Sequence, residues 1–358
     1  MKKILLFGIA FCISLIAFGQ VVVGSNATTN DTSSRNVVID KNGETRIYGS
    51  EVVVYVPTFG AKNFSDMSED LHLAISEATE ASLACIGRVT VSLNDNFAPF
   101  ITVESMKNGT EITEKREVSK FTAIDASSSF KITVKKGDTE SLSITADESL
   151  MPYLRSEVKN GVLKLYYKDH TRVGKISTPE VQITMRNLEK VALSGVCSMD
   201  CKDVFQPNNF IADLSGISRL KIEVNPKGNL TCDLSGASNL DIVASASKAI
   251  IDISGTGKMT LKLNAPKATF DLSGSSNIKV SGKSESAIFD VSGIAKINAF
   301  DYELKKANID ISGSSQIEVN ASDELAVDAS GISAVYYKGR PSFKSIETSG
   351  VSKIKHVD

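Results

Sequence analysis

The sequence has no tryptophan, three histidines, eight prolines and five cysteines among its 358 residues. With so few histidines, and with Asp and Glu spread evenly, the usual parts of a catalytic centre are scarce. No Cys-x-x-Cys pair occurs and no histidine stands near the cysteines, which excludes a zinc finger. Five scattered thiols are also too few for a disulfide scaffold. Excess charge of one sign is missing as well: 40 Lys plus Arg stand against 42 Asp plus Glu, a net charge of −2. A nucleic-acid binder would carry a basic stripe to neutralise phosphates. What is present is a chain 42% hydrophobic. That is too apolar for disorder, and the length suffices for one large domain or two ordinary ones.

Only one long apolar run exists. Lys2 and Lys3 precede Ile4 to Phe18, and Ala17-Phe18-Gly19 sets small residues ahead of Gln20. This is the layout of a secretory signal peptide over residues 1–19. The run spans about 15 residues, short of the roughly 20 that a membrane-crossing helix needs. Cys12 lies inside the run behind bulky Phe11, which argues against a lipoprotein cut there. The expectation is an exported protein, periplasmic, outer-membrane-associated or extracellular, with no transmembrane segment in the mature chain. Of the cysteines beyond the run, Cys197 and Cys201 are close enough in sequence to bridge locally, while Cys85 and Cys232 are isolated.

The C-terminal half repeats itself. Ser-Gly pairs stand at 194–195, 215–216, 235–236, 254–255, 273–274, 292–293, 312–313, 330–331 and 349–350, with glycines 18 to 21 residues apart. So steady a period marks a stacked architecture. Apolar residues recur two and four positions before each glycine, as in Leu272 and Phe270, and four and six positions after it, as in Ile278 and Val280. Alternation on both sides of a glycine bend means two short strands, each burying one face. A unit of about 19 residues is too short for a propeller blade, at roughly 40, and lacks the helical segment of a leucine-rich repeat. A parallel β-helix remains, its coils stacked strand on strand. Cys201 and Cys232 fall in inward columns as small buried hydrophobes, and Cys197 takes a bend position that is Ser in most coils (Ser218, Ser238, Ser276, Ser315, Ser333, Ser352), which makes the local bridge doubtful. His356 and Thr348 depart from the apolar columns in the last coil, as an end cap would.

The first half is less regular. Residues 20–35 read as a linker, polar from Gly24 to Arg35, and 36–105 as a small α+β element. Within it, Asn42-Gly43 signals a hairpin, Ser65 to Ile86 a helix stopped by Gly87, and 88–105 strands. Residues 106–120 look like a connection. From Phe121 the pattern is β again, with a short helical piece from Glu148 to Val158, and these segments form irregular early coils on the same stack.

The run Phe121-Thr-Ala-Ile-Asp-Ala-Ser-Ser-Ser-Phe-Lys-Ile-Thr-Val, the segment Gly161-Val162-Leu163-Lys164-Leu165 and the Ser-Gly coils after them resemble the head-GIN-domain family, secreted bacterial proteins labelled auto-transporter adhesins. The resemblance covers about 117–358. It implies a right-handed parallel β-helix outside the cytoplasm, and carries no catalytic residues with it. No membrane barrel is legible, so attachment to a surface would need a partner or another mechanism.

Chemically, the sharpest feature is a column of aspartates, one per coil: Asp213, Asp233, Asp252, Asp271, Asp290, Asp310 and Asp328. Parallel strands lie about 4.8 Å apart, so neighbouring carboxylates repel by roughly 0.9 kcal/mol in a water-like dielectric. Hydrogen bonds from the nearby serines or bend N–H groups would relieve this and make the column a structural ladder. Calcium along the column is the alternative, since oxygen ligands suit it; otherwise no cofactor or metal is expected. A feature repeated so uniformly is a poor active site. The exposed polar columns (Arg219, Lys221, Lys258, Lys279, Lys296, Lys355) make a solvated face or a regular surface for glycan or protein ligands. Among these, Arg219 and Lys279, with Tyr336 as a stacking residue, are the candidate ligand-binding positions. Asp169, His170 and Arg172 are adjacent but read as a solvated turn. The expected function is therefore non-enzymatic adhesion or binding at a cell surface. The alternative is a polysaccharide-cleaving lyase or hydrolase on the same scaffold, which fold analogy alone supports.

Overall fold

A computed structural model describes residues 110–168 and 177–358, and in addition the backbone of six strands from the N-terminal part and of Thr171–Val173. The expected signal peptide and the expected helix over Ser65 to Ile86 lie outside the described residues. The chain divides into two compact units, one of Met1–Thr113, Thr145–Arg155 and Tyr167–Thr178, the other of Glu114–Ile144, Ser156–Tyr166 and Pro179–Asp358.

The first unit holds a seven-stranded sheet of mixed direction. Asn36–Ile39 pairs antiparallel with Glu44–Ile47 on either side of Asn42-Gly43, as the hairpin signal requires. Gly87–Leu93 and Pro99–Ser105 form a second antiparallel pair. A 3-10 turn, Met151–Tyr153, carries Pro152 in its first turn, and Leu154 ends it in an extended conformation. The helical piece expected from Glu148 to Val158 is therefore replaced by this turn and the strand Leu154–Lys159. The i, i+4 spacing of Leu150, Leu154 and Val158 mimics a helix face, but from Leu154 the backbone is extended and the period of two returns. Glu111–Arg116 is likewise a strand within the expected connection, with only Ile112 and Arg116 half-buried.

The second unit is an all-β solenoid. Each coil contributes a leading strand that ends at the Ser-Gly pair and a trailing strand that begins three residues beyond the glycine. Leading strands pair in parallel, as Phe210–Leu214 with Asn229–Gly236 and that strand with Lys248–Gly255. Trailing strands do the same, as Arg219–Val224 with Asn239–Ser245 and that strand with Lys258–Asn264. From Arg219 to Gly274 the two strands of each coil are separate at the second bend, where Pro226 and Pro266 stand in two of the three coils. Farther on, Asn277–Val291, Lys296–Ile311 and Gln316–Ala329 run through that bend unbroken, with register shifts that absorb the turn.

The early coils join this stack out of chain order. Ala123–Ala126 is flanked on one edge by Val162–Leu165 and on the other by Lys190–Leu193. Lys131–Lys136 is flanked in the same way by Glu180–Met185 and by Ser198–Cys201.

The inward columns are buried almost without exception. Phe270 and Phe289 stack with centroids 4.8 Å apart, and Tyr302 meets Phe270 edge-on at 6.4 Å. Tyr302 is fully buried, its hydroxyl bonded to Ser284; burial pushes its phenol up to about 12 although the serine bond opposes the shift. At the bends, Gly216 has φ 69°, and a Cβ there would lie 2.5 Å from the oxygen of Gly195 in the adjacent coil. Only glycine meets both constraints, which explains the Ser-Gly period. In the coil ending at His356, the strand Ser342–Thr348 is exposed throughout and leaves Phe343 45% and Ile346 48% accessible.

Candidate functional site

The aspartates form a continuous in-register column on the outer side of the leading strands, from Asp213 through Asp233, Asp252, Asp271, Asp290 and Asp310 to Asp328, with Glu347 beyond. Asp125 extends it on the other side of Ala192. The hydrogen bonds expected to relieve the column are not there among the described residues. The serines of the Ser-Gly pairs instead face backbone carbonyls one coil away, as Ser312 Oγ donates to Val291 O at 3.4 Å. Among the described residues one cation approaches, Lys190, 3.8 Å from Asp213. Partial burial, followed by the charges of Asp252 and Asp213, raises the carboxyl of Asp233 above its ordinary value against the opposing pull of Lys190. Partial burial and then Asp290 and Asp328 raise Asp310. No group of three or more His, Cys, Asp or Glu side chains among the described residues is placed to hold a metal ion.

A second column, two residues past each glycine, lies inside the bend. Ser218, Ser238, Ser276, Ser315 and Ser333 are buried there. Ser218, Ser238 and Ser333 each donate to the carbonyl of the serine three residues earlier, at 2.7, 2.7 and 2.8 Å. Cys197 fills the same position, its Sγ 3.7 Å from Ala126 O. The described cysteines, Cys197, Cys201 and Cys232, are all buried free thiols. Burial raises each of them, Cys197 to about 11 and Cys201 to about 12, with nearby aspartates adding to the shift.

The outer side of the trailing strands carries the three candidate ligand-binding residues. Arg219 and Lys279 are exposed. Tyr336 is half-buried, in register between Glu318 and Lys355, and Lys353 Nζ sits 5.3 Å from its ring centroid. One side of that ring is thereby taken by a cation–π contact. The three stand on separate coils and do not converge. Asp169 and His170 lie outside the described residues, and Arg172 is described only as part of the strand Thr171–Val173.

An open depression of about 340 Å³ is lined by residues of the bends and of the first positions of the trailing strands, Thr256, Ser276, Asn277, Ile294, Lys258 and Lys296 among them.

The family model described as "Putative auto-transporter adhesin, head GIN domain" matches residues 120–258 and again 230–341. The chain belongs to this head GIN domain family. A structure from Parabacteroides distasonis described as a "putative adhesin" is similar, with a TM-score of 0.56 and 20% identity, covering 70% of this chain and 98% of that one. Another from the same organism, described as a "putative lipid binding protein", has a TM-score of 0.52 and 24% identity over the same shares. At these identities the likeness establishes the fold. No curated protein matches the sequence. Among the described residues no helix is long and apolar enough to cross a membrane.

Within the head GIN solenoid, two features escaped the sequence reading. One is the depression; its signal was the replacement of serine by Gly257 and Ala295 on either side of Ser276. The other is an aliphatic series immediately after the bend glycines. Val196, Ile217, Ile294, Ile332 and Val351 are 56 to 76% exposed, and their shared offset from glycine was the available clue.

Proposed function

We propose that this protein is exported and works without catalysis, binding glycan or protein ligands through the outer face of its trailing strands. Membership of an adhesin family supports adhesion or surface binding in general. The observation that carries the finer reading is the regularity of that face: exposed polar side chains, Arg219 and Lys279 among them, are held in register coil after coil. Such extended surfaces serve recognition in solenoid proteins. Tyr336 offers one ring side for stacking, the other being covered by Lys353. The aspartate column on the opposite ladder has a structural place in this reading, its mutual repulsion moderated by water.

The test sets the full chain against an array of neutral and acidic glycans and assays the same polymers for cleavage. Retention of a glycan with no new chain ends is the expected result. Turnover of any polymer would replace this reading with a lyase or hydrolase.

A further inference from the structure

We propose that the outer face of the leading strands is a docking surface for a second copy of this chain, two solenoids lying side by side with their coils stacked in the same direction. The pairing goes beyond the ligand reading of the trailing strands, whose outer side stays free in both copies.

Three columns cross this face, each in register from coil to coil. The aspartates are one of them, with Asp233, Asp252, Asp271 and Asp290 at the centre of the face. Two residues earlier in each strand stand Thr231, Ile250, Thr269 and Ile288, and two earlier again Asn229, Lys248, Lys267 and Ser286. Residues two apart share one side of a strand, so a β-branched strip runs between a lysine border and an aspartate border. Lys248, Lys267, Asp252 and Asp271 are exposed and make no ion pair among the described residues. Distance prevents one: four residues of strand put Lys248 about 13 Å from Asp252. Each border meanwhile sets like charges on neighbouring coils about 4.8 Å apart, which is destabilising. In the strip, Ile288 is left 47% exposed. An apolar centre with charged borders is the layout of an interface core and its rim.

Charge selects both the partner and its orientation. Two copies can meet through one face about a two-fold axis that runs either along the coil stack or across it. With the axis across the stack, lysines meet lysines and aspartates meet aspartates. With the axis along the stack, each lysine border lies over the other copy's aspartate border and the β-branched strip lies over itself. Lys248 then faces Asp252 of the second copy, and Lys267 faces Asp271, in both directions. Both like-charge borders are neutralised by one docking event. Across the two-fold Asp233 meets only Asn229, and Asp310 meets a Lys306 already held by Glu324, so these two carboxyls stay under the repulsion of their own column. The area suffices as well. A leading strand such as Lys248–Gly255 has 8 residues, and the aspartates continue from Asp213 to Asp328. At about 3.3 Å per residue and about 4.8 Å per coil the footprint is about 750 Å² per copy, close to the roughly 800 Å² per partner of a stable interface.

The experiment measures the mass of the full chain by sedimentation velocity at rising salt. The parent should sediment as a dimer at low salt and come apart as salt screens the charges. K248E/K267E makes both borders acidic and D252K/D271K makes both basic; each alone should lose self-association by about tenfold or more. Mixed one to one, the two variants should form a dimer, and that recovery also shows both to be folded. The quadruple variant K248E/K267E/D252K/D271K, whose borders are exchanged, should dimerise by itself. K258E/K296E, the same charge change on the trailing strands, should leave the dimer intact. A parent that is monomeric at low salt, or a dimer that survives both double variants, would overturn the inference. So would a failure to recover the dimer in both the mixture and the quadruple variant, or equal loss in K258E/K296E.

Discussion

Gly274 lies against Gly255 in the adjacent coil so closely that a Cβ on Gly274 would come 2.7 Å from the Gly255 oxygen, and its φ of 102° is one that L side chains rarely adopt. The same contact recurs at bend after bend, so the solenoid depends on it throughout. Gly274→Ala should therefore cost about 2 kcal/mol or more and lower the thermal midpoint by about 4–8 °C. A thermal melt followed by circular dichroism decides it; a midpoint unchanged from the parent would mean the bend yields more easily than this geometry allows.

The serines inside the bend separate two effects. Ser238→Ala removes the bond to Ser235 O and should cost about 1 kcal/mol. Ser276→Ala removes a hydroxyl that has no partner among the described residues and should leave stability within about 0.5 kcal/mol of the parent. Denaturant titration of the two variants should rank them in that order.

Acid should stabilise the solenoid before it harms it. The carboxyls of Asp233 and Asp310 are raised in the folded chain above the ordinary 3.8, so the folded state holds more protons just above that value. Their contribution is fully present below the unfolded pKa and is lost as pH rises through the folded one. The melting temperature should climb as pH falls from 7 toward the carboxylate range, more so at low salt. D233N/D310N should raise the midpoint at pH 7 and flatten that climb. A melting temperature that falls steadily on acidification would contradict the ladder's repulsion.

Calcium tests the same column independently. The carboxylates are spread one per coil, and no described group of three is placed to hold a metal. A chelator should leave the melt at pH 7 unmoved; a drop on chelation, reversed by calcium, would show cations bridging the ladder.

Thiol chemistry offers a probe of the core. Burial holds the thiols of Cys197, Cys201 and Cys232 protonated and enclosed. Iodoacetamide at pH 8 should modify them only after denaturant is added. Rapid labelling of the native protein at Cys197 would mean that the bend opens.

Much of the solenoid was legible because its constraint is local and repeated. Glycine at each bend and alternation around it fix two strands per coil, and the aspartate register follows from their spacing. Coils without the Ser-Gly pair were harder to read. Ser128 stands under Gly195 with φ 80°, so serine takes the glycine's place and hides the first bend. The strand Glu111–Arg116 has a single apolar residue and left little alternation to detect. The inner serines look the same in sequence whether a bend side chain points to water or inward. Recognising the depression requires comparing Gly257, Ser276 and Ala295 across three coils, a relationship that appears only once the coils are stacked. Of the candidate ligand residues, Arg219 and Lys279 were legible as outward positions, whereas the cover over Tyr336 depended on Lys353 in the next coil.

The flanking of Ala123–Ala126 by Val162–Leu165 on one edge and Lys190–Leu193 on the other bears on how the solenoid assembles. This early segment is an interior layer, with both its edges used by chain made later. It can act as a seed from which growth proceeds in two directions. One direction is taken up by early strands such as Val162–Tyr167 and Glu180–Met185, and the other runs on through the repeats to the C-terminal coil. A lesion in that seed should impair both arms together, whereas one near Asp328 should fray only the distal end.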